Sequence, residues 1–460
     1  MRRASIAALC LATSLAGCDL APHYVRPAPA APAVWPTGAS YGAEQGGAAG
    51  LPWRTMVANP KLRQVIEMAL ADSRDLRASI ASVASARAQY HVERSYQLPT
   101  VAAGASATIQ RGLRSSALDS NSYDADAGMS GFELDLFGRL RNQTKEAFET
   151  YLATESGMRS TKLTLVAETA TAYATLASDR DLLKIAQDTV ASGQRSLELI
   201  RSLFGSGLAS AGDVQSAITI VEQAKSDVAN QTTLVAQDRN ALELLVGAPV
   251  PDDLLPASLA ELDGSVGNVP AGLSSEVLLQ RPDVVEAEHS LKGANASIGA
   301  ARAAFFPTIT LTSAIGVAST ALSSLFTGGA LSWNVAPSAS VPILGGTNRG
   351  NLQYAKAQRD YYTAEYEKAV QSAFRDVADA LARRGTITDQ RAAQDRLVAA
   401  SAKAYSLADA QYRAGTGTFL DALTDQRTLY SAQQTRIGAM LTDIGNRIAL
   451  YKAIGADSSL

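Results

Sequence analysis

Between Ala303 and Asn348 the chain carries no charged side chain, and few folds can hold such a stretch. A membrane-spanning helix would need about 20 consecutive apolar residues. Pro307, Gly316, Gly328, Gly329, Pro337 and Pro342 interrupt every such run. Read with a period of two, the stretch becomes two strands. Ile309, Leu311, Ile315 and Val317 alternate with Thr308, Thr310, Thr312, Ala314 and Gly316. Beyond a break at Leu325–Gly329, Trp333, Val335, Ala339, Val341 and Ile343 alternate with Ser332, Asn334, Ala336, Ser338 and Ser340. An apolar face backed by a small polar face over about ten residues is the pattern of a transmembrane β-hairpin between lipid and a wet lumen. A hairpin inside a soluble sheet is the alternative; the lack of charge on both faces and in the loop argues against it.

An earlier stretch reads the same way. Val101, Ala103, Ala105, Ala107 and Ile109 alternate with Gly104, Ser106, Thr108 and Gln110. After a polar loop from Arg114 to Asn121, Tyr123, Ala125, Ala127 and Met129 alternate with Asp124, Asp126, Gly128 and Ser130, and Gly131 shifts the phase before Phe132, Leu134 and Leu136. The hairpins belong to a tandem repeat. Arg94, Pro99, Gly207 and Asp213 recur at one constant offset as Arg302, Pro307, Gly415 and Asp421, and Gly138 recurs as Gly345 with one residue of slippage. Arg94 and Arg302 enter the hairpins, while Arg139, Arg141 and Arg349 leave them. They read either as a basic collar on the near side of the bilayer or as solvated helix ends.

Past Gly138 the period changes from two to seven. Leu176, Leu183, Val190, Leu197 and Phe204 keep heptad spacing with no proline from Leu140 to Phe204, which predicts a helix of about 65 residues, roughly 100 Å long. Gly205-Ser206-Gly207 reverses it. Val214, Ala217, Val221, Ala224, Val228, Gln231, Val235, Asp238, Leu242 and Leu245 then form a coiled-coil seam, which Gly247 ends. A second pair follows from Arg349 to Tyr412, turns at Gly415-Thr416-Gly417, and continues through Leu423, Gln426, Tyr430, Gln433, Ile437, Met440, Ile444 and Tyr451.

The first repeat is therefore 59–247, with a helix from Asn59-Pro60 to about Tyr96, hairpin 98–137 and tip 205–212. A Pro/Gly-broken connector covers 248–273. The second repeat is 274–454, with a helix capped by Ser274 or Ser275 and running to Phe305, hairpin 306–345 and tip 413–419. The tail 455–460 reads as disordered.

At the N-terminus, Arg2 and Arg3 precede an apolar run from Ile6 to Leu15, then Leu15-Ala16-Gly17-Cys18. Residues 1–17 read as a secretory signal whose end resembles a bacterial lipobox, making Cys18 the lipidated first residue of the mature chain; ordinary cleavage near Ala16 is the alternative. Acyl chains on Cys18 would hold the protein to a membrane. Asp19 resembles an inner-membrane retention signal of some bacteria. Cys10 leaves with the signal, so no internal disulfide is possible. Residues 18–58, rich in Pro, Ala and Gly, read as an extended lipidated tether.

A net charge of -3 gives no electrostatic case for nucleic acid. Charged residues are 18% and aromatic residues 6%, a composition suited to long helices in close contact. With only His23, His91 and His289 and one mature cysteine, no catalytic or metal-ligating constellation assembles, so neither an enzyme nor a cofactor is expected.

The predicted fold class is thus mixed α and transmembrane β. Two hairpins give four strands, and an open strand edge in lipid leaves backbone groups unpaired at several kcal/mol each. About eight strands are needed for even a filled barrel. Several copies must therefore complete one barrel, and the long helices would prolong its lumen into a conduit.

Specific motifs agree. Tyr24-Val25-Arg26-Pro27, Phe132-Glu133-Leu134-Asp135-Leu136-Phe137-Gly138-Arg139, Gln280-Arg281-Pro282-Asp283-Val284 and Ala301-Arg302-Ala303-Ala304-Phe305-Phe306-Pro307 resemble those of the outer membrane efflux protein (TolC-like) family, in its lipoprotein branch. The resemblance covers the whole chain. It implies a homotrimer with a shared twelve-stranded β-barrel, a periplasmic α-barrel of long coiled-coil-like helices and a small mixed equatorial domain. It also implies a Gram-negative outer membrane location, and partnership with a periplasmic adaptor and an inner membrane pump, usually of the resistance-nodulation-division class. Small molecules such as drugs would leave through it; a type I protein secretion duct shares the architecture, and a periplasmic coiled-coil scaffold would explain the heptads but not the hairpins.

By the same resemblance the periplasmic tip is a gate. Its candidates are Leu420, Asp421, Asp425 and Arg427. Family members commonly read Leu-Asp-Ala-Gln-Arg where this chain reads Leu423-Thr424-Asp425-Gln426-Arg427. One position along a helix rotates a side chain by about 100°, so Asp425 points elsewhere than the usual acid, and Asp421 on the same face stands as its substitute. Gly207, Asp213 and Gly415 are tip or adaptor-contact candidates, Asp213 also a helix cap. Lumen walls of Ser, Thr and Ala are expected to carry no selectivity chemistry.

Overall fold

The computed structural model describes residues 19–41, 52–111, 120–267, 275–455 and 457. The signal segment 1–17, Cys18, most of the loop from Arg114 to Asn121, Ser274 and tail residues 456 and 458–460 lie outside them. The elements in chain order are α1 (Pro60–Asp72), α2 (Arg74–Ser95), β1 (Val101–Gln110), β2 (Ser120–Glu133), α3 (Arg139–Gly205), α4 (Ala211–Val246), α5 (Pro282–Ala303), β3 (Thr308–Ser319), β4 (Leu331–Ser340), α6 (Thr347–Arg413) and α7 (Phe419–Ile454). Helices α3 and α6 have 67 residues each, and α4 and α7 have 36 each. Among the described residues no helix is long and apolar enough to cross a membrane.

Local chemistry explains the helix boundaries. Ser210 caps α4 in a capping box with Asp213, and Thr418 caps α7 through the Asp213 counterpart Asp421. Gly247 and Gly455 end these helices in the left-handed conformation. Every seam residue expected on α4 is buried or half-buried.

The described residues divide into two compact units, those within Met1–Ala28, Ser82–Glu155 and Glu286–Glu367 in the first, those within Pro29–Ala81, Ser156–Val285 and Lys368–Leu460 in the second. The first holds a single antiparallel sheet in the order β1-β2-β3-β4, so the hairpins pair with each other through β2 and β3. Gly131, at φ +64°, sits in the register shift between Met129 and Phe132.

In the second unit a single helical turn, Trp53–Met56, buries Trp53, and Val57 forms an antiparallel bridge with Val266. The connector is fastened by side chains. Tyr173 donates to the Leu254 carbonyl at 2.7 Å, Arg391 pairs with Asp263 and Asp443, and Arg447 reaches Asp443 and the Val266 carbonyl.

Four sequence expectations are corrected. The helix expected from Asn59 to Tyr96 breaks at Ser73 (φ -54°, ψ 130°), where Gly247, the cap of α4, lies against the Asp72 carbonyl. The helix expected from Ser274 or Ser275 starts only at Pro282: residues Ser275–Gln280 form a 3-10 turn, and proline disfavours helical geometry in Arg281 before it. Arg281 instead holds Asp283 and the Ala453 carbonyl. The tether is not free, since its end at Trp53–Val57 belongs to the core and its start is fastened along α5. The tail is partly ordered: Asp457 accepts from the Trp53 backbone and the Tyr451 hydroxyl.

Candidate functional site

In the first unit the strand register sorts the side chains onto two faces. Across the sheet, Ala103 pairs with Ala127, Ala127 with Ile315, and Ile315 with Trp333; the next such row is Ala105, Ala125, Val317 and Leu331. These rows make one apolar face, with Trp333 74% exposed. The intervening rows are Gly104, Asp126, Gly316 and Ser332, and Ala102, Gly128, Ala314 and Asn334. They are small and polar. Asp124 lies in the row of Ser106 and Ala318, with Ser122 donating to it at 2.7 Å. The polar face therefore carries two carboxylates, Asp124 and Asp126, besides the small Ser, Thr and Ala side chains expected of it.

Strands β2 and β3 approach closely on this polar face. A Cβ on Gly128 would lie 2.3 Å from the Ser313 carbonyl oxygen, and one on Gly316 would lie 2.3 Å from that of Ala125. Strands β1 and β4 are exposed throughout and have no strand on their outer sides among the described residues. An exposed edge of ten residues is a template for pairing with another chain.

The four collar candidates differ. Arg139 is paired with Glu133 and bonded to Gln143, and Arg302 donates to the Leu20 carbonyl at 3.0 Å. Arg94 and Arg349 are exposed, with no hydrogen-bond or ion-pair partner among the described residues.

At the tips in the second unit, Gly207 and Gly415 share φ +74°. Asp213 closes the capping box on Ser210, and Thr418 donates to Asp421 at 2.7 Å, so both acids serve as caps. Leu420 is 65% exposed. Asp425 is half-buried and Arg427 exposed, neither with a hydrogen-bond or ion-pair partner among the described residues. No bond joins Asp421, Asp425 and Arg427 to one another.

Beneath the tip, Leu197, Ile200, Ala217, Val221, Phe419 and Leu423 form a hydrophobic cluster. Two polar ties above it join α7 to the other helices. The Gln426 amide donates to Ser192 Oγ on α3 at 3.1 Å, and Tyr430 Oη donates to Asp227 Oδ2 on α4 at 2.8 Å. Burial, and then the bonded Asp227, push the Tyr430 phenol well above its ordinary pKa, so it stays a donor. Arg427 lines a cavity of about 290 Å³ together with Thr189, Thr219, Gln223, Gln426 and Tyr430. Spacing along the sequence assigns Gln426 and Tyr430 only to the seam; the signal that distinguishes them is polarity at positions a coiled coil fills with apolar residues.

The sequence profile of the family described as "Outer membrane efflux protein" matches residues 65–248 and again 273–456. The chain belongs to the outer membrane efflux protein family. Among efflux proteins it is 42% identical over 451 residues to the "Probable efflux pump outer membrane protein TtgC" of Pseudomonas putida, covering 96% of this chain and 93% of that one. It is 36% identical to the "Cation efflux system protein CusC" of Escherichia coli, covering 97% and 98%. The structure of the open state of the MtrE outer membrane channel of Neisseria gonorrhoeae superimposes with a TM-score of 0.87 at 36% identity, over 96% of this chain and 99% of that one.

Proposed function

We propose that three copies of this efflux protein join edge to edge, β1 of one to β4 of the next, into a twelve-stranded barrel continued by an α-barrel of the long helices. The chain is an outer membrane exit duct for efflux. In this reading it is passive rather than an enzyme, is anchored through acylated Cys18, and receives small molecules from an adaptor and an inner membrane pump of the resistance-nodulation-division class. The two halves are read as a tandem repeat, which the equal helix lengths support.

The observation that carries this is the sheet: a largely apolar face, interrupted by Ser313 and Ser319, bounded by two edges that are unpaired among the described residues. The strands alternate in direction from β1 to β4, so β4 against a neighbour's β1 continues the antiparallel order. Closure leaves no edge in lipid. At the helical tips, the Tyr430 and Gln426 ties hold α7 against α3 and α4 and act as latches of a periplasmic gate, with Arg427, Asp425 and Asp421 facing neighbouring copies. Arg94 and Arg349 remain as the collar. Native mass spectrometry of the protein extracted from outer membranes tests the assembly: a mass of three mature chains is expected, and a water-soluble monomer would refute the reading.

A further inference from the structure

Helix α5 carries a polar stripe that no other part of the proposed duct uses. Glu288, Lys292, Asn295, Gly299 and Arg302 follow one another by four, three, four and three residues, which places them on one helix face. Each meets the extended segment that begins at Asp19. Arg26 clasps Glu288 through two bonds, Nε at 3.1 Å and Nη2 at 2.7 Å, and Tyr24 donates to the same carboxylate at 3.2 Å. Lys292 donates to Glu288 at 3.0 Å and lies over the Tyr24 ring, 5.5 Å from its centre. Asn295 donates to the Pro22 carbonyl at 2.7 Å, and Arg302 to that of Leu20 at 3.0 Å. At Gly299 a Cβ would stand 2.8 Å from the Ala21 Cβ, so only glycine leaves room for the segment. Asp19 itself accepts from Asn142 on the first turn of α3 at 3.0 Å.

The lengths match. From Glu288 to Arg302 the helix rises about 21 Å, and from Arg26 to Leu20 an extended chain covers about 20 Å. The segment therefore runs antiparallel to α5 without slack. Although burial alone would raise the Glu288 pKa, hydrogen bonds from Arg26 and then Lys292 hold its carboxyl below the ordinary value, so the clasp is ionic at neutral pH.

We infer that the α5 stripe is a docking site for the chain's own post-signal segment, and that it fixes the height at which the membrane anchor leaves the protein. This rests on the reading of Cys18 as acylated. Cys18 precedes Asp19 by one peptide bond, and Asp19 is held where α3 begins and α5 ends, next to the strands. The acyl chains then do not trail on a loose tether: they enter the leaflet at a set depth beside the sheet, and a pull on the anchor is borne by Glu288.

Val25 is 74% exposed, so a nitroxide on Val25→Cys reports the segment without disturbing the clasp. In the full-length protein from outer membranes the label is expected to be immobile. Arg26→Gln, which alters only the segment, and Glu288→Gln should each raise the mobile fraction about tenfold, because each removes the charge-assisted bonds between Arg26 and the buried Glu288 carboxylate. Oligomer mass and circular dichroism, unchanged in these variants, separate undocking from misfolding. A label already mobile in the parent, or indifferent to both substitutions, would overturn the docking site. The mass of the N-terminal peptide is read in parallel: a peptide without the diacylglyceryl increment would overturn the anchoring role and the acylation reading together, whatever the label shows.

Discussion

Tyr430 Oη on α7 and Asp227 Oδ2 on α4 are joined by a 2.8 Å hydrogen bond just above the tip cluster. A neutral donor to a carboxylate contributes about 1.5–3 kcal/mol, and its loss leaves Asp227 with the Gln223 amide alone among the described residues, at 3.0 Å. Tyr430→Phe keeps the ring and removes only that bond. The channel reconstituted in planar bilayers is expected to open about tenfold more often, or to conduct at a larger level, and a trace identical to the parent would remove this tie from the gate.

Arg427 borders the cavity beside that bond and has no partner within its own chain among the described residues. Its guanidinium is therefore available to an acid of a neighbouring copy. Arg427→Ala should raise single-channel conductance, and additively with Tyr430→Phe if the two act at different interfaces. Unchanged conductance would leave Arg427 as a solvated surface residue.

Gly128 and Gly316 mark the closest approach of the two hairpins. A valine at either place would press its Cβ into a neighbouring carbonyl oxygen, and backbone on both sides cannot yield cheaply. Gly128→Val and Gly316→Val are each expected to abolish the proposed three-chain assembly, read as loss of the trimer mass in native mass spectrometry. Gly104→Val has room, since a Cβ there would lie 3.7 Å from its nearest neighbour, Asp126 Oδ1, and should assemble normally.

Asp124 and Asp126 lie on the sheet face opposite Trp333 and Ile315. In the proposed closed barrel they would form rings of negative charge, the arrangement that favours cations. The Asp124→Asn, Asp126→Asn double variant should shift the reversal potential in a salt gradient towards zero. A potential that does not move would place both carboxylates outside the conducting path.

Asp238 on α4 is pushed up to about 6 by burial and by the neighbouring Asp179 charge. A carboxyl whose native value lies above its unfolded one favours the native state only while protonated. That contribution is complete below about pH 4 and is lost as pH rises through about 6. Asp238→Asn stays neutral throughout. Its melting temperature should exceed the parent's at pH 8, with the gap narrowing towards pH 5; a gap independent of pH would sink the assignment.

Periodicity made the strands and the long helices legible, because the spacing of apolar residues is a local property of the chain. Gly131, Gly207 and Gly415 were legible for the same reason: the turn or shift each permits is written in its neighbours. Ser73 was not, since no proline or glycine marks it and its neighbour across the fold is Gly247; the break at Arg281 was written in Pro282, but the Asp283 and Ala453 partners of its guanidinium were not. Tyr430 was visible as a polar residue in an apolar seam, yet its meaning lies in Asp227, far away along the chain. The segment after Cys18 reads as a linker because proline and alanine suit linkers; its docking is written on α5, where Glu288, Asn295 and Gly299 taken alone look like ordinary helix residues.

The two bare strand margins, β1 and β4, have a logistical consequence for the cell. A chain waiting to be finished shows the same surfaces that would polymerise it into ribbons, so supply has to be metered against delivery to the membrane. Finished ducts should then scale steeply with synthesis, and overproduction should yield insoluble polymer sooner than extra export capacity.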